Sequence, residues 1–270
     1  MKGWVKGLIA GIIIAVIGIA VLLVGLAINN WKFASAMPEF KTLTYSEEKE
    51  NSSVKVEVNA GRVKTEFYDG DKIQIDFPVA EKYNPEISEE NGTLIYKSPT
   101  VKWYNYWGWS HSKVPYTVIR LPKDHIFNKA DIYNIEIEVN AGTVEITQGK
   151  YDNVKIEVNA GAVTTGAITC NKFDCEINAG AMNVESLICN VSKFEVNAGA
   201  GNFKKVSCGD ITADVSAGAL KMKLDGVRAE YNITAIKSAG SCNVVNQNGT
   251  TDKKLKVGVS AGSADITFTN

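Results

Sequence analysis

Apolar and polar residues alternate one by one through most of the chain after residue 53. In one stretch Ile156 and Val158 alternate with Lys155 and Glu157, and the same pattern returns nineteen residues later. Alternation with a period of two predicts β-strands that bury one face. Apolar residues spaced by three and four, which would predict a helix, are never sustained in this region.

The strands fall into repeats that are marked by the tripeptide Asn-Ala-Gly or Ser-Ala-Gly. The tripeptide starts at Asn59, Asn140, Asn159, Asn178, Asn197, Ser216, Ser238 and Ser260, with four successive intervals of nineteen residues followed by two of twenty-two. A fixed period in this range is typical of stacked repeats. Three short strands per repeat predict an all-β fold, a parallel β-solenoid with about 19–22 residues per coil, whose strands stack roughly 4.8 Å apart.

The tripeptide is expected to form the corner of each coil. Gly supplies an unusual backbone angle there, and alternation places Ala inside the coil and Asn outside. Outward Asn residues in register can form an amide ladder along the stack. In the coil after Ser216, Lys237 stands where Val is usual and the interval grows by three residues, which predicts a bulge or loop in that coil. The chain ends inside a strand, which leaves that edge open to a partner or another copy.

Strand-like segments also fill the long gap between the first two tripeptides, including "DKIQIDF", "GTLIYKS" and "PYTVIRLP". Turn signals such as Asn91-Gly92 separate them. A solenoid needs covered ends, so this region is expected to form a β cap. The predicted organisation is an anchor at 1–32, a linker at 33–53, a capping β region at 54–135 and the repetitive β-solenoid at 136–270.

The N-terminus predicts one transmembrane helix. Leu8 to Ile28 holds no charged residue and is about long enough to cross a bilayer. Lys2 and Lys6 precede it, which favours a cytoplasmic N-terminus and an extracellular C-terminal domain in the cell membrane. A cleaved signal peptide ending near Ala36 is the alternative, but its apolar core would be shorter.

Glycine spacing within the anchor suggests a contact between two copies. Gly3, Gly7 and Gly11 lie on one helical face, where small residues let two helices approach closely and form a homodimer. The alternative is that glycine is simply common in membrane helices. The formal net charge of −1 and the lack of a Lys/Arg block exclude a nucleic-acid partner.

The most unusual local composition is the run "WYNYWGWSH", which starts at Trp103 and lies between two predicted strands. Trp and Tyr side chains suit stacking on sugars, protein hot spots and membrane interfaces. The alternative is an aromatic cluster that covers the open end of the cap. The candidate ligand-binding residues are Trp103, Tyr104, Tyr106, Trp107 and Trp109.

Charged and thiol side chains also recur at fixed coil positions. The acidic column of Glu138, Glu157, Glu176, Glu195 and Asp214 is interpreted as a solvated face offset by nearby lysines, and a weak divalent-cation site lacks a supporting loop motif. Cys170, Cys189 and Cys208 share one position, and Cys175 and Cys242 point inward. All five are interpreted as free thiols that pack as small hydrophobes. No metal or cofactor is expected.

Catalysis has little support in the sequence. His111 and His125 are the only histidines, and neither is next to a Ser or Cys nucleophile in a known catalytic motif. Although some polysaccharide-cleaving enzymes use β-helices, the regular repetition lacks a singular charged cluster. The chain is not expected to be an enzyme.

With these repeats in view, the chain resembles the bacterial putative-adhesin β-strand-repeat family, a domain of unknown function on envelope proteins. The matching units are Val56 to Val63, Glu138 to Val144 and Glu157 to Val163, together with "GTLIYKSP … PYTVIRLP", and the resemblance covers Ser53 to Asn270. It implies one N-terminal membrane segment and a Gram-positive envelope, and some relatives are linked to envelope-stress signalling. It brings no catalytic residues.

These observations favour a membrane-anchored extracellular β-solenoid that acts as a surface binding or adhesion module. A cell-wall glycan or a protein is the expected partner beside the membrane itself. The alternative is a structural or regulatory, stress-sensing envelope component without a dedicated ligand site. Contact of the aromatic run with a ligand would favour the first hypothesis, and contact with the bilayer the second.

Overall fold

The computed structural model describes residues 39–48, 51–80, 83–100, 115–123 and 134–269. The predicted all-β class is confirmed, because these residues form one curled sheet of parallel and antiparallel strands. Helix is nearly absent from this part of the chain, where a 3₁₀ turn spans Arg228–Glu230. None of the described residues forms a helix long and apolar enough to cross a membrane. The predicted anchor, with Gly3, Gly7 and Gly11, lies outside the described residues.

Nineteen strands make up the sheet. Their bounds are β1 Lys41–Ser46, β2 Ser53–Val58, β3 Arg62–Tyr68, β4 Gln74–Val79, β5 Glu86–Glu90, β6 Thr93–Lys97, β7 Tyr116–Pro122, β8 Asn134–Val139, β9 Thr143–Ile146, β10 Gly149–Lys150, β11 Asn153–Val158, β12 Ala162–Ile177, β13 Ala181–Val196, β14 Ala200–Val215, β15 Ala219–Asp225, β16 Asn232–Lys237, β17 Ser241–Cys242, β18 Lys254–Val259 and β19 Ser263–Thr269.

The strands stack into walls on either side of the tripeptide corner. The first wall precedes the corner and runs in the order β5, β6, β2, β8, β11, β12, β13, β14, β18, β16. The second wall follows the corner and runs β1, β4, β7, β3, β9, β12, β13, β14, β15, β19, β17. A shorter third wall pairs β10 with β12. Only the pairs β1–β4, β4–β7 and β5–β6 are antiparallel among these ladders.

The core lies inside the coils and follows the predicted alternation. Val158, Ile177 and Phe194 are fully buried, and their outward neighbours are polar. Phe194 and Phe203 pack edge to face with ring centroids 4.6 Å apart. Because each coil buries only its inward residues, stacking of neighbouring coils is what joins these residues into one continuous core.

The corner is built differently from the expectation. The corner Ala residues are exposed from the coil of Ala160 onward, as at Ala179, whereas Ala60 is buried and Ala141 is half-buried. The prediction that Ala points inward is therefore wrong for most of the corners. The glycines face the coil beneath instead: a Cβ on Gly180 would overlap Val158 and lie 2.5 Å from the carbonyl oxygen of Gly161. Among the corner glycines of the described residues, Gly61 and Gly142 alone have a positive φ. Glycine is therefore needed mainly for close approach and not for an unusual angle.

The outward asparagines form the predicted amide ladder. The side-chain amide of Asn140 donates to Asn59 Oδ1 at 3.0 Å, and the ladder continues through Asn159, Asn178 and Asn197 at 2.8, 2.7 and 2.7 Å. Asn140 also donates to Glu138 at 2.9 Å, within its own coil. Both amide protons of Asn140 are thus used, one between coils and one within a coil.

The coils do not stack in chain order at the C-terminal end. The last strands are internal, because β18 pairs with both β14 and β16, and β19 pairs with both β15 and β17. β17 covers only Ser263 and Ala264 of β19, and the Asn243 side chain bonds the backbone of Ile266. The expectation of an open edge is therefore wrong for the start of the last strand and holds beyond Ile266, where β19 pairs with β15. The end layer is formed by β16 and β17. The same exchange occurs at the other end, where β2 lies between β6 and β8.

The end layer explains Lys237. It pairs in unbroken register with Val259, and its side chain is exposed at the end of a column of buried aliphatic residues. The predicted irregularity lies earlier in the same coil, as a register shift between β14 and β15 and a 3₁₀ turn at Arg228–Glu230. An inward-facing charge on an end strand discourages edge-to-edge pairing. The same edge is partly covered, because Ile233 and Gln247 exchange backbone hydrogen bonds and Asn246 Oδ1 accepts from the Ala235 N–H at 2.6 Å.

The corner packing makes a direct prediction about stability. Gly180→Ala is expected to lower the free energy of unfolding by about 1–3 kcal/mol, because the added methyl group must push two coils apart. Thermal or urea denaturation monitored by circular dichroism measures the change. Gly209→Ala is the matched control, since its Cβ would meet nothing closer than Asn190 O at 3.2 Å. Equal stability of Gly180→Ala and the wild-type chain would contradict the packing argument.

Candidate functional site

The predicted aromatic site cannot be placed on the fold. Trp103, Tyr104, Tyr106, Trp107 and Trp109 lie in 101–114, outside the described residues. Their role as ligand-binding residues stays a prediction. The described residues offer three arrangements of chemically active side chains. These are a charged surface on the first wall, a column of thiols beside the third wall and a groove on the second wall.

On the charged surface of the first wall, lysines pair with the acidic side chains of neighbouring strands. The acidic column extends one coil further than the sequence suggested, because Glu57 pairs in register with Glu138. The neighbouring column alternates in sign through Lys55, Glu136 and Lys155, and both lysines lie 3.2 Å from Glu136. Exposed pairs of this kind contribute little individually, but together they offset the repulsion expected along the acidic column.

The titration of Glu136 reflects these contacts. Burial of the carboxyl acts to raise its pKa, but hydrogen bonds from Lys155 and Lys55 outweigh burial and leave the pKa below its usual value. Glu136 is therefore held as a carboxylate paired with lysines, which suits neither a general acid nor an open cation site. No group of three or more His, Cys, Asp or Glu in the described ranges is arranged to hold a metal ion.

The thiol column lies in the core, as the sequence indicated. Cys170, Cys189 and Cys208 are paired in register on adjacent strands, and each is buried as a free thiol. The contact with Cys170, together with burial, raises the pKa of Cys189 to about 12. Burial likewise raises the pKa of the Cys175 thiol. Because the thiolate is the reactive form, these thiols are packing groups and not nucleophiles.

The second wall carries a groove of about 320 Å³ close to its junction with the N-terminal layers. Its walls and floor come from four neighbouring strands, β7, β3, β9 and β12. The lining residues that matter most for its chemistry are Arg62, Tyr116, Thr143, Glu145, Ala162 and Thr164. A smaller groove of about 120 Å³ lies at the other end of the solenoid beside Asp214 and Ile236.

Three side chains in the larger groove hold one another in place. The Arg62 guanidinium lies 3.8 Å from the centre of the Tyr116 ring and donates to the phenol oxygen. The Tyr116 hydroxyl donates in turn to Glu145 Oε1 at 2.6 Å. This hydrogen bond to the carboxylate is the main reason why the pKa of Tyr116 is raised. A cation, a phenol and a carboxylate therefore line one side of the groove in fixed positions.

The sequence alone did not reveal this groove. Tyr116 meets Arg62 because β7 pairs with β3 in register, although 54 residues separate the two side chains. No repeat or motif in the region between the first two tripeptides signals that pairing. Arg62 and Glu145 follow two equivalent corners, and this shared position is the one sequence feature that relates them to each other.

The fold is that of a β-solenoid whose tripeptide corners stack in register. Comparison with known families identifies the family to which such a chain belongs. Residues 45–270 match the sequence model of the family described as Toastrack DUF4097. The chain belongs to this family, a domain of unknown function in bacterial proteins. The resemblance inferred from the repeats is thereby confirmed.

Comparison with solved structures finds proteins of similar fold at low sequence identity. A crystal structure described as a putative adhesin from Bacteroides fragilis aligns with a TM-score of 0.56 and 14% identity, over 86% of this chain and 100% of that chain. A second crystal structure, also described as a putative adhesin and from Parabacteroides merdae, aligns with a TM-score of 0.49 and 9% identity. The alignment covers 84% of this chain and 96% of that chain. At such identities the first likeness shows a shared fold. No curated protein sequence has significant similarity to the chain.

Burial of the thiols predicts their order of reaction. Cys242 is half-buried while the other four cysteines are buried, so a thiol reagent such as DTNB at pH 8 is expected to modify Cys242 alone in the folded chain. The other thiols should react only after denaturation, because burial keeps the reagent away from them. Cys242→Ser, which should remove the fast reaction, is the control. Rapid modification of Cys189 would contradict the buried column.

Proposed function

We propose that this protein is a membrane-anchored surface binding module whose solenoid is displayed outside the cell. The groove on the second wall carries the proposal, because it combines a defined volume with polar side chains fixed by one another. Family membership supports it, as does the adhesin description of the Bacteroides fragilis protein that shares the fold. Stacked repeats also present long regular surfaces that suit binding.

The location and orientation in this proposal rest on the sequence. The uncharged segment Leu8 to Ile28 acts as the single-pass anchor, and Lys2 and Lys6 keep the N-terminus in the cytoplasm. The solenoid then stands on the extracellular side, close to the cell wall. A wall glycan or a wall-bound protein is the proposed partner, and dimerisation through Gly3, Gly7 and Gly11 remains a prediction.

Binding is proposed in preference to catalysis because of the state of the described reactive groups. Burial raises the pKa of Cys175, contact with Cys170 raises that of Cys189, and Glu136 is engaged by two lysines. The aromatic run adds a second proposed contact, because Trp and Tyr rings stack on sugars or on apolar protein surfaces. Wall binding by the wild-type chain therefore tests the binding function, and removal of the tryptophans tests the contribution of the aromatic run.

Sedimentation with purified Gram-positive cell walls tests this proposal. The full chain in detergent micelles should co-sediment with the walls, and the triple variant Trp103→Ala/Trp107→Ala/Trp109→Ala should bind about tenfold more weakly or worse, because aromatic anchors dominate such contacts. Circular dichroism confirms that both proteins are folded. Ile188→Ala/Val191→Ala is the control, since it removes exposed apolar side chains from the solenoid and leaves the aromatic run intact.

Two results would each overturn one part of the proposal. If the walls do not retain the wild-type chain, then adhesion to the wall is wrong. If the triple variant binds as well as the wild type, then the aromatic run is not the contact, and a structural role for it would be favoured.

A further inference from the structure

The geometry of the larger groove points to its ligand. We propose that the groove lined by Arg62, Tyr116, Glu145, Ala162 and Thr164, here called the second-wall groove, binds a neutral saccharide of one or two rings. The proposal deepens the binding function proposed above and rests on it. Nothing in the family description assigns a ligand to this position.

The charge of the second-wall groove excludes strongly charged ligands. Its lining contains one cation, Arg62, and one carboxylate, Glu145, and the two are linked through the phenol of Tyr116. Lys64 lies 5.8 Å from the centre of the Tyr116 ring but is paired with Glu66, so it does not change the balance. An anion would meet Glu145 and a cation would meet Arg62, so neither gains a net attraction. The balance favours a ligand that carries no charge.

The hydrogen-bonding groups of the groove match hydroxyl groups. Arg62 offers only donors, Glu145 offers only acceptors, and the hydroxyls of Thr143 and Thr164 offer both. A sugar hydroxyl donates and accepts at once, so neighbouring hydroxyls on one ring can use donor and acceptor side chains together. An apolar ligand such as an acyl chain would displace water from the donor and acceptor positions that these side chains do not use on one another, which costs binding free energy.

The size and rigidity of the groove also fit a small saccharide. Its volume of about 320 Å³ lies at the lower end of the roughly 300–1,000 Å³ range of small-molecule sites. Ala162 and Gly142 on its floor project little or no side chain, so a ring can lie close to the strands. Stacking of Arg62 on Tyr116 and the hydrogen bond to Glu145 fix the wall before binding, which reduces the entropy lost when a ligand is ordered.

Isothermal titration and saturation-transfer NMR test the proposal on the full chain. The probes are cellobiose and N,N′-diacetylchitobiose, with inorganic phosphate as the anionic comparison. The detergent must lack a sugar headgroup, since such a headgroup would compete for the groove. We expect at least one disaccharide to bind, at millimolar or better affinity, and phosphate not to bind.

The repeat offers matched variants for the same titration. Ala162→Tyr fills the groove, whereas Ala200→Tyr introduces the same side chain at the equivalent position two coils further along, because Ala162 pairs with Ala181 and Ala181 with Ala200. Glu145→Ala removes the acceptor, and Glu185→Ala removes an exposed carboxylate that pairs with Lys204 elsewhere. Ala162→Tyr and Glu145→Ala should weaken disaccharide binding at least tenfold, while both controls should bind like the wild type.

The outcomes separate this proposal from the broader one. If neither disaccharide binds, or if Ala162→Tyr binds as tightly as Ala200→Tyr, then the saccharide groove is wrong even where cell walls still retain the chain. If a disaccharide binds through the groove while walls do not retain the chain, then the groove stands and adhesion to the wall fails. Tight binding of phosphate would overturn the charge argument.

Discussion

The close contact between successive corner glycines is the constraint on which the rest of this structure depends. The N–H of Ala181 donates to the carbonyl oxygen of Gly161 at 3.0 Å, and the N–H of Ala200 donates to that of Gly180 at 3.0 Å. No Cβ fits between these layers, so the corner sets both the spacing and the register of the coils. In-register stacking then places equivalent residues of neighbouring coils next to each other. The asparagines therefore form a ladder, and the inward apolar residues form one core.

The same constraint decides where a specific site can form. A wall made of identical repeats presents the same side chain in every coil, so it is uniform and lacks a distinct pocket. The second-wall groove lies where this regularity is broken, because β7 comes from outside the repeat and stacks on β3. Tyr116 thereby meets Arg62 and Glu145, two residues that follow neighbouring corners. The repeats supply the rigid support, and the out-of-order layer supplies the specific side chain.

Period and alternation were enough to predict the coil, the buried face and the asparagine ladder, because each depends on local spacing. The direction of the corner residues was not predictable in this way, since the chain bends at each corner and strict alternation between inward and outward positions no longer holds at Ala179. The order of the coils was also not predictable, because Ser-Ala-Gly corners are chemically interchangeable and either Ser238 or Ser260 could follow Ser216 in the stack. The groove was also not predictable, because it depends on the pairing of β3 with β7, two strands that are distant in the sequence.

Exchange of the asparagine side-chain amides, measured by NMR on the labelled full chain, tests the stacking most directly. Asn159 donates one amide proton to Asn140 and the other to Glu157, whereas Asn248 is exposed. Each hydrogen bond contributes about 1 kcal/mol, so the amide protons of Asn159 should exchange roughly tenfold more slowly than those of Asn248, or slower still. Equal exchange rates at the two positions would contradict an in-register ladder and, with it, this account of the fold.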